Sequence, residues 1–221
     1  HLRIATTGPP LFVGGGPQDC SFREHLLSYG GTWFWDDLTL TEDTEWLAEG
    51  LARGSLICVA DGSYHRKAAP DICGAGWVIH CTHSRRTIKG TLVERSAVAG
   101  SYRGELLGLL ALHLLLLAIE EYYDNTGDTN MVFCDNKGAI YSFQRDRKRV
   151  AAGTKHADIH RVLRRIKAQM SSRHSHHHVK AHQDDHKRRA SLPVESQLNC
   201  RCDDMAKSAV REAMVDMERI P

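Results

Sequence analysis

The distribution of apolar residues along the chain predicts five short β-strands. Residues 56–60, 74–81 and 87–93 are runs rich in apolar and β-branched residues, separated by polar loops, as in a three-strand meander. A later apolar run at 131–134 resembles them, and the histidine-rich segment at 174–180 is predicted as the fifth strand. We therefore expect three strands that follow one another and two more that are added later in the chain.

Between these runs the apolar residues recur at helical spacing. A long helix is predicted over 101–123, and shorter helices over 138–145, 159–170 and 199–217. Asn199 stands in the capping position of the last helix. The order β-β-β-α-β-α-α-β-α is typical of an α/β domain with a five-stranded mixed sheet flanked by helices.

The N-terminal region differs from the rest of the chain in composition. Residues 1–54 are Gly/Pro-rich, acidic and Trp-containing, so we interpret them as a linker or tether ahead of a domain at 55–217. A short helix capped by Thr41 is predicted within this region. Three Trp residues lie around it: Trp33, Trp35 and Trp46. They either dock on the main domain or form a partner-binding module of a larger protein.

Charge is unevenly divided along the chain, although the formal net charge is only +2. Residues 1–54 contain 3 Lys/Arg and 8 Asp/Glu, whereas residues 136–189 contain 15 Lys/Arg and 4 Asp/Glu, a net charge of +11. A segment this basic indicates a polyanionic partner, with phosphate groups as the usual choice.

Composition excludes several other classes of protein. A hydrophobic content of 42% and a charged content of 25% are ordinary for a folded globular chain. The most apolar run, at 106–119, is shorter than the roughly 20 residues that cross a bilayer, so we expect a buried core helix and no membrane partner. Seven cysteines without dense spacing favour an intracellular location, cytoplasmic or nuclear. The start at His1, without Met, suggests a piece of a longer protein.

Four acidic residues occupy the ends of predicted elements rather than their faces. Asp61 and Asp135 each follow an apolar strand directly, Glu105 lies in the first turns of the long helix, and Asp203 follows Asn199 by four residues. If the first and fourth strands are parallel neighbours, Asp61 and Asp135 emerge at the same edge of the sheet. Converging carboxylates need cations, and such an oxygen site suits Mg²⁺ or Mn²⁺.

Each of these acids also has a purely structural explanation. An Asp before Gly at a strand end is commonly a turn former, which applies to Asp61. Asp135 can belong to the N-cap of the next helix, and Asp203 can complement a helix dipole. The order of the four acids along the chain, rather than any one of them, favours a metal site.

Five stretches together resemble type 1 ribonuclease H domains of the kind attached to the reverse transcriptases of retrotransposons. They are VADGSYHRKAAPDICGAGWVI at 59–79, YRGELLGLLALHLLLL at 102–117, VFCDNKGAI at 132–140, VKAHQDD at 179–185 and LNCRCDDMAKSA at 198–209. The resemblance covers residues 55–213 and implies the ribonuclease H-like fold, in which a five-stranded mixed sheet joins three antiparallel strands to two parallel ones.

The resemblance also implies the site residues. The four metal-binding carboxylates fall on Asp61, Glu105, Asp135 and Asp203, and they would hold two Mg²⁺ ions, with Mn²⁺ as a substitute. The loop histidine of the family falls on His182. The interval from His182 to Asp203 is long, which leaves open whether a further acid contributes: Asp184, Asp185 or Asp204. The positions expected to contact nucleic acid are Gly62, Ser63, Ser101, Asn136, Arg147, Lys148 and Arg149.

The function implied is an endonuclease that hydrolyses the RNA strand of RNA–DNA hybrids by two-metal-ion catalysis, within or apart from a polypeptide that carries a polymerase. One alternative is a catalytically inactive domain that binds hybrid or RNA as a structural part of a reverse transcriptase. Another is a transposase or integrase, which can share the sheet topology. In those enzymes nothing corresponds to Glu105 or His182, which disfavours that reading.

Overall fold

The strands form a single mixed sheet in the computed structural model, which describes residues 20–29, 32–38, 40, 43–125, 127–144, 150–151 and 153–218. The strand order is β3-β2-β1-β4-β5. β1 pairs antiparallel with β2 and β2 with β3, whereas β4 runs parallel to both β1 and β5. The strands are β1 (Leu56–Tyr64), β2 (Ile72–Cys81), β3 (Thr87–Arg95), β4 (Asn130–Cys134) and β5 (His174–His178). The predicted five-stranded mixed sheet is confirmed.

Helices cover both faces of this sheet. They are α1 (Phe22–Leu27), α2 (Glu45–Ala52), α3 (Ser101–Tyr123), α4 (Lys137–Gln144), α5 (Ala157–Gln169) and α6 (Val194–Glu218). α3 packs on β1 and β2 from one face, and α6 packs on the same two strands from the other. Alternate residues of β1 therefore join different cores: Cys58 lies on the α3 side, and Val59 lies on the α6 side. Burial on both faces explains why β1 reads as a continuous apolar run.

α3 is the central helix of the fold. Its length and composition would allow it to cross a membrane, but 83% of its most apolar stretch is buried inside the protein. The stretch from Arg103 to Glu120 is buried throughout, since the sheet lies on one side of α3 and α1, α2, α4 and α5 lie around it. α3 is thus a core helix, as its apolar run predicts.

The described part of the N-terminal region packs on the same core. Phe22 of α1, Trp35 and Trp46 of α2 are all buried among the residues that surround α3. The indole Nε1 of Trp35 donates a hydrogen bond to the carbonyl of Tyr29, and the ring meets Trp77 of β2 edge-on. The helix bearing Trp46 begins at Glu45. The helices before residue 54 share one core with the sheet. The division of the chain into a tether and a domain at residue 54 therefore stays a prediction.

Two element boundaries differ from the sequence prediction. β1 does not end in a turn at 61–63, because it pairs with β2 as far as Tyr64 opposite Cys73. α6 begins at Val194 rather than after Asn199, since the carbonyl of Pro193 already accepts hydrogen bonds from the first turn. Asn199 is therefore inside a helix and caps nothing.

Candidate active site

Asp61 and Asp135 lie side by side where the parallel pairing of β1 and β4 ends. The pairing runs to Ala60 opposite Cys134, and the two aspartates are the next residues of their strands. Asp61 is 4% exposed, and one of its oxygens accepts a hydrogen bond from the backbone N–H of Gly62 at 2.7 Å. The predicted meeting of these two acids follows from the topology of the sheet. Asp61 lies within β1 and is not a turn former, and the side chain that caps α4 is that of Asn136.

Glu105 reaches the same point because α3 approaches β1 unusually closely. A Cβ on Gly62 would lie 2.4 Å from the backbone nitrogen of Glu105, and one on Gly104 would lie 2.7 Å from the carbonyl oxygen of Gly74. Only glycine permits such contacts. The Glu105 carboxylate, 4% exposed, accepts a hydrogen bond from the thiol of Cys134 at 3.5 Å.

α6 brings the fourth acid from the opposite face of the sheet. Here Gly76 of β2 permits the close approach, since a Cβ on it would lie 2.4 Å from the carbonyl oxygen of Cys202. The side-chain amide of Asn199 lies 3.5 Å from Asp61, and Lys207 donates to Asp203 at 2.6 Å. Because Asp203 lies well inside α6, the helix-dipole explanation of this residue is wrong.

The four carboxylates interact strongly in this enclosed place. Burial and, after it, the charges of Asp135 and Asp203 together raise the pKa of Asp61 to about 8. Burial also raises the pKa of Glu105, with added repulsion from Asp61 and Asp135. The pKa of Asp135 is raised by burial and by Asp203, although His182 partly offsets the effect. Among the described residues, Lys207 is the one lysine or arginine bonded to a carboxylate of this group.

This donor set fits a hard divalent cation. Oxygen ligands are those that Mg²⁺ and Mn²⁺ prefer, and carboxylates crowded together lose their mutual repulsion when cations lie between them. Within the described ranges, Glu105, Cys134 and Asp135 offer donor atoms that all lie within 4.8 Å of one another. No sequence pattern predicts Cys134 at the site. Burial keeps the pKa of its thiol well above the usual range.

Two of the three additional acids left open by the sequence are engaged elsewhere. Asp184 and Asp204 both bind the guanidinium of Arg189, at 2.6 and 2.7 Å. The side chain of Asp204 is 58% exposed, whereas that of its neighbour Asp203 is 20% exposed. Asp203 is therefore the better placed of the two, and Asp185 lies exposed in the loop.

His182 lies in the loop after β5, close enough to Asp135 for its charge to lower the pKa of that carboxyl. The residue is exposed and adopts a left-handed backbone conformation, with φ of 50°. Left-handed conformations are uncommon for residues other than glycine, so the surrounding loop must hold it there. The role of His182 as the loop histidine of the family stays a prediction.

Of the described residues expected to contact nucleic acid, three have contacts within the fold and one is exposed. Gly62 and the buried Ser63 lie in β1 beside Glu105, and Asn136 caps α4 by accepting a hydrogen bond from Ala139. Ser101 is exposed at the start of α3. Three further positions lie outside the described residues: Arg147, Lys148 and Arg149.

A cavity of about 630 Å³ lies at the start of α3, and no sequence pattern predicts it. Ser101, Lys155 and His156 line it, and the buried Nε2 of His156 has no hydrogen-bond partner. No side chain caps α3, so its first N–H groups also point toward this end. The cavity thus combines a helix N-terminus and Lys155, which attract anions, with the carboxylate of Asp158, which Arg103 binds.

Replacing Gly62 with Ala tests whether the close approach of β1 and α3 positions the acids. We expect the rate of a reaction catalysed at these acids to fall by on the order of 100-fold, because the backbone of Glu105 has to move and small misplacements are costly. The matched control is Gly153→Ala, whose added Cβ would meet nothing within 4 Å. Equal activity of both variants and the wild type would contradict this account.

Comparisons with known proteins establish the fold. No family model matches the sequence, and no curated protein matches it either. The solution structure of the ribonuclease H domain of prototype foamy virus superposes with a TM-score of 0.50 at 12% identity, covering 71% of this chain and 94% of that one. Ribonuclease H1 from the archaeon Halobacterium salinarum gives a TM-score of 0.46 at 17% identity, covering 73% and 99%. On the first of these similarities, the chain has a ribonuclease H-like fold.

Proposed function

We propose that this protein is an endonuclease that hydrolyses the RNA strand of RNA–DNA hybrids. The observation that carries the proposal is the convergence of Asp61, Glu105, Asp135 and Asp203, supplied by β1, α3, the end of β4 and α6. Buried carboxylates are costly unless cations compensate them, so this arrangement of acids favours metal binding. The ribonuclease H-like fold and the five sequence stretches support the choice of substrate.

The four carboxylates would hold two Mg²⁺ ions, with Mn²⁺ as a substitute. Bound there, the ions would supply Lewis acidity and a lowered pKa of the attacking water. No serine or cysteine nucleophile is required for such a hydrolysis, and the buried thiol of Cys134 is unsuited to one, because its pKa lies well above the usual range.

The protein side chains around the acids orient them and carry protons. Asn199 donates to one oxygen of Asp61, whose other oxygen accepts from the backbone of Gly62, and Lys207 donates to one oxygen of Asp203. The imidazole of His182, exposed beside Asp135, can accept a proton at a ring nitrogen or return it to a leaving oxygen. Its effect on Asp135 supports the assignment of His182 as a proton carrier at the edge of the site.

The duplex would be held mainly through its phosphates. Lys155 and Ser101 border the cavity at the start of α3, and α5 exposes a basic face opposite its buried apolar residues. Such contacts are independent of base sequence and weaken steeply with salt. Discrimination of RNA from DNA would rest on the 2′-hydroxyls of the strand next to the acids.

We further propose that the domain acts within a reverse transcriptase of the retrotransposon type. The motifs resemble those of ribonuclease H domains attached to such polymerases, and the fold is shared with a viral ribonuclease H domain. A polymerase domain would then be the partner that delivers the hybrid.

Replacing Asp135 with Asn is the direct test of the metal site. We expect cleavage in Mg²⁺ to fall by about 10³-fold or more, since each 1.4 kcal/mol of lost transition-state stabilisation is tenfold in rate and a metal supplies several. Binding of the hybrid should persist. The measurement uses labelled RNA–DNA hybrid, RNA duplex and DNA duplex, in Mg²⁺, in Mn²⁺ and in chelator.

The control for this experiment is Asp71→Asn, which removes the charge of an exposed aspartate in the loop before β2. Full activity of the Asp135 variant in Mg²⁺ would show that the metal site is wrongly assigned. Hybrid binding without cleavage by the wild type, in either metal, would instead support the inactive binding domain.

A further inference from the structure

The loop that follows His182 is docked on α6 through its own polar contacts. It contains two 3₁₀ turns, Gln183–Asp185 and Arg189–Ser191, and both contact α6. Leu192 anchors the far end of the loop, since its side chain is buried. The loop therefore follows the surface of the helix that carries Asp203.

Gln183 fixes the chain on the C-terminal side of His182. Its side-chain nitrogen donates to the carbonyl of Lys180 at 2.9 Å and to the hydroxyl of Ser196 at 2.8 Å. Ser196 is 4% exposed and belongs to the first turn of α6. One side chain thus bonds the residue two positions before His182 and the helix on which the loop rests.

Arg189 joins the loop to α6 a second time. Its guanidinium donates through Nε and Nη2 to Asp184 and through Nη1 to Asp204. Asp184 lies two residues after His182, and Asp204 is the neighbour of Asp203. The planar fork of arginine can bind two carboxylates in fixed directions at once, which the single ammonium of lysine cannot do as rigidly.

These contacts lie on either side of His182, whose backbone conformation needs support from the loop. His182 has a left-handed backbone, and its imidazole is exposed beside Asp135. An exposed side chain on an unsupported loop would sample many positions, whereas a docked loop limits it to few. The contacts of Gln183 and Arg189 lie on the loop segment that sets the path of His182.

We propose that Arg189, together with Gln183, is a positioning residue that holds the imidazole of His182 at Asp135. This inference rests on the proposed function, because it assigns the loop a part in the same reaction. It predicts that losing the Arg189 fork lowers kcat and leaves KM for the hybrid nearly unchanged. The fold should be unaffected, since ion pairs at exposed side chains contribute little to stability.

The test compares Arg189→Met, Arg189→Lys and the control Arg188→Met. We expect kcat of Arg189→Met to fall on the order of tenfold, and Arg189→Lys to recover part of the loss. Arg188→Met removes the same charge from the adjacent exposed position, so a loss caused only by weaker duplex attraction would occur in both Met variants. Thermal unfolding of each variant checks that the fold is intact.

Two further readouts separate positioning from a general structural effect. In the His182→Ala background, Arg189→Met should cause no additional loss of kcat, because the group that Arg189 holds is gone. In the metal-free protein without substrate, the imidazole proton signals of His182 should shift or broaden in Arg189→Met and stay unchanged in Arg188→Met.

The outcomes distinguish this inference from the proposed function. Unchanged His182 signals, or losses of kcat that simply multiply in the double variant, would overturn the positioning role of Arg189. A wild-type protein that cleaves no hybrid would refute the nuclease proposal, while the His182 signals would still report whether Arg189 holds the loop.

Discussion

Replacing Asp61 with Asn is expected to abolish cleavage and, in the same protein, to raise thermal stability without metal. Asp61 is the most central of the four acids, since its pKa responds to Asp135 and Asp203 as well as to burial. Loss of its charge should remove the metal site. It should also relieve a repulsion that the folded protein otherwise bears when no cation is present.

The dependence on pH fixes the sign of the stability effect. The pKa of Asp61 rises from an ordinary 3.8 to about 8 on folding, so between these pH values the folded state binds more protons than the unfolded chain. Stability of the metal-free wild type therefore falls as pH rises through this range. The Asn variant lacks that loss, and we expect it to be more stable at pH 8 by on the order of 2 kcal/mol.

Thermal melts in chelator at pH 5 and at pH 8 measure this effect. A gain on the order of 2 kcal/mol corresponds to a rise in Tm of roughly 5 °C for a chain of this size. Asp71→Asn is the control, because this exposed aspartate lies outside the group of four acids and its replacement should give no gain. A wild-type Tm that does not fall with pH, together with an Asn variant of unchanged Tm, would contradict the prediction.

Replacing Arg103 with Met should cause the largest loss of stability of any single change considered. Arg103 is 2% exposed and binds Glu94 of β3 at 2.5 and 2.8 Å and Asp158 of α5 at 2.7 and 3.1 Å. Without it, the buried carboxylate of Glu94 loses its cation. Removing one partner of a buried ion pair typically costs about 3–5 kcal/mol.

Urea unfolding of Arg103→Met and of the double variant Arg103→Met, Glu94→Gln tests this prediction. The double variant should regain part of the stability, because no buried charge is left unpaired. Arg95→Met is the control, since Arg95 follows Glu94 in β3 and its guanidinium donates to an exposed carbonyl. This variant should lose much less stability. A loss below about 1 kcal/mol in Arg103→Met would show that Glu94 is compensated in another way.

Sequence patterns were sufficient for the sheet and for part of the site. The apolar runs of β1 and β4 mark two strands of the sheet, so the acids that follow these runs, Asp61 and Asp135, could be placed at one edge of it. Glu105 was found because it precedes the apolar stretch of a helix whose length is evident from its composition.

The features that escaped prediction depend on contacts between distant residues. Nothing local shows that Gly62 lies against the backbone of Glu105, and the sequence Asp-Gly-Ser reads as a turn. The first turns of α6 are polar and lack helical periodicity, so the sequence pattern predicts a start at Asn199. The partners of Arg103 are supplied by a strand before it and a helix far after it, which a single sequence does not reveal.

The distribution of the four acids along the chain determines when the site can form during protein synthesis. Asp61, Glu105 and Asp135 lie on elements that emerge first, whereas Asp203 and Asn199 belong to α6. Domains generally fold as units while the chain leaves the ribosome. A nascent chain that still lacks α6 has three of the four acids and an uncovered sheet face, so the group of acids is complete only when the whole domain has been made.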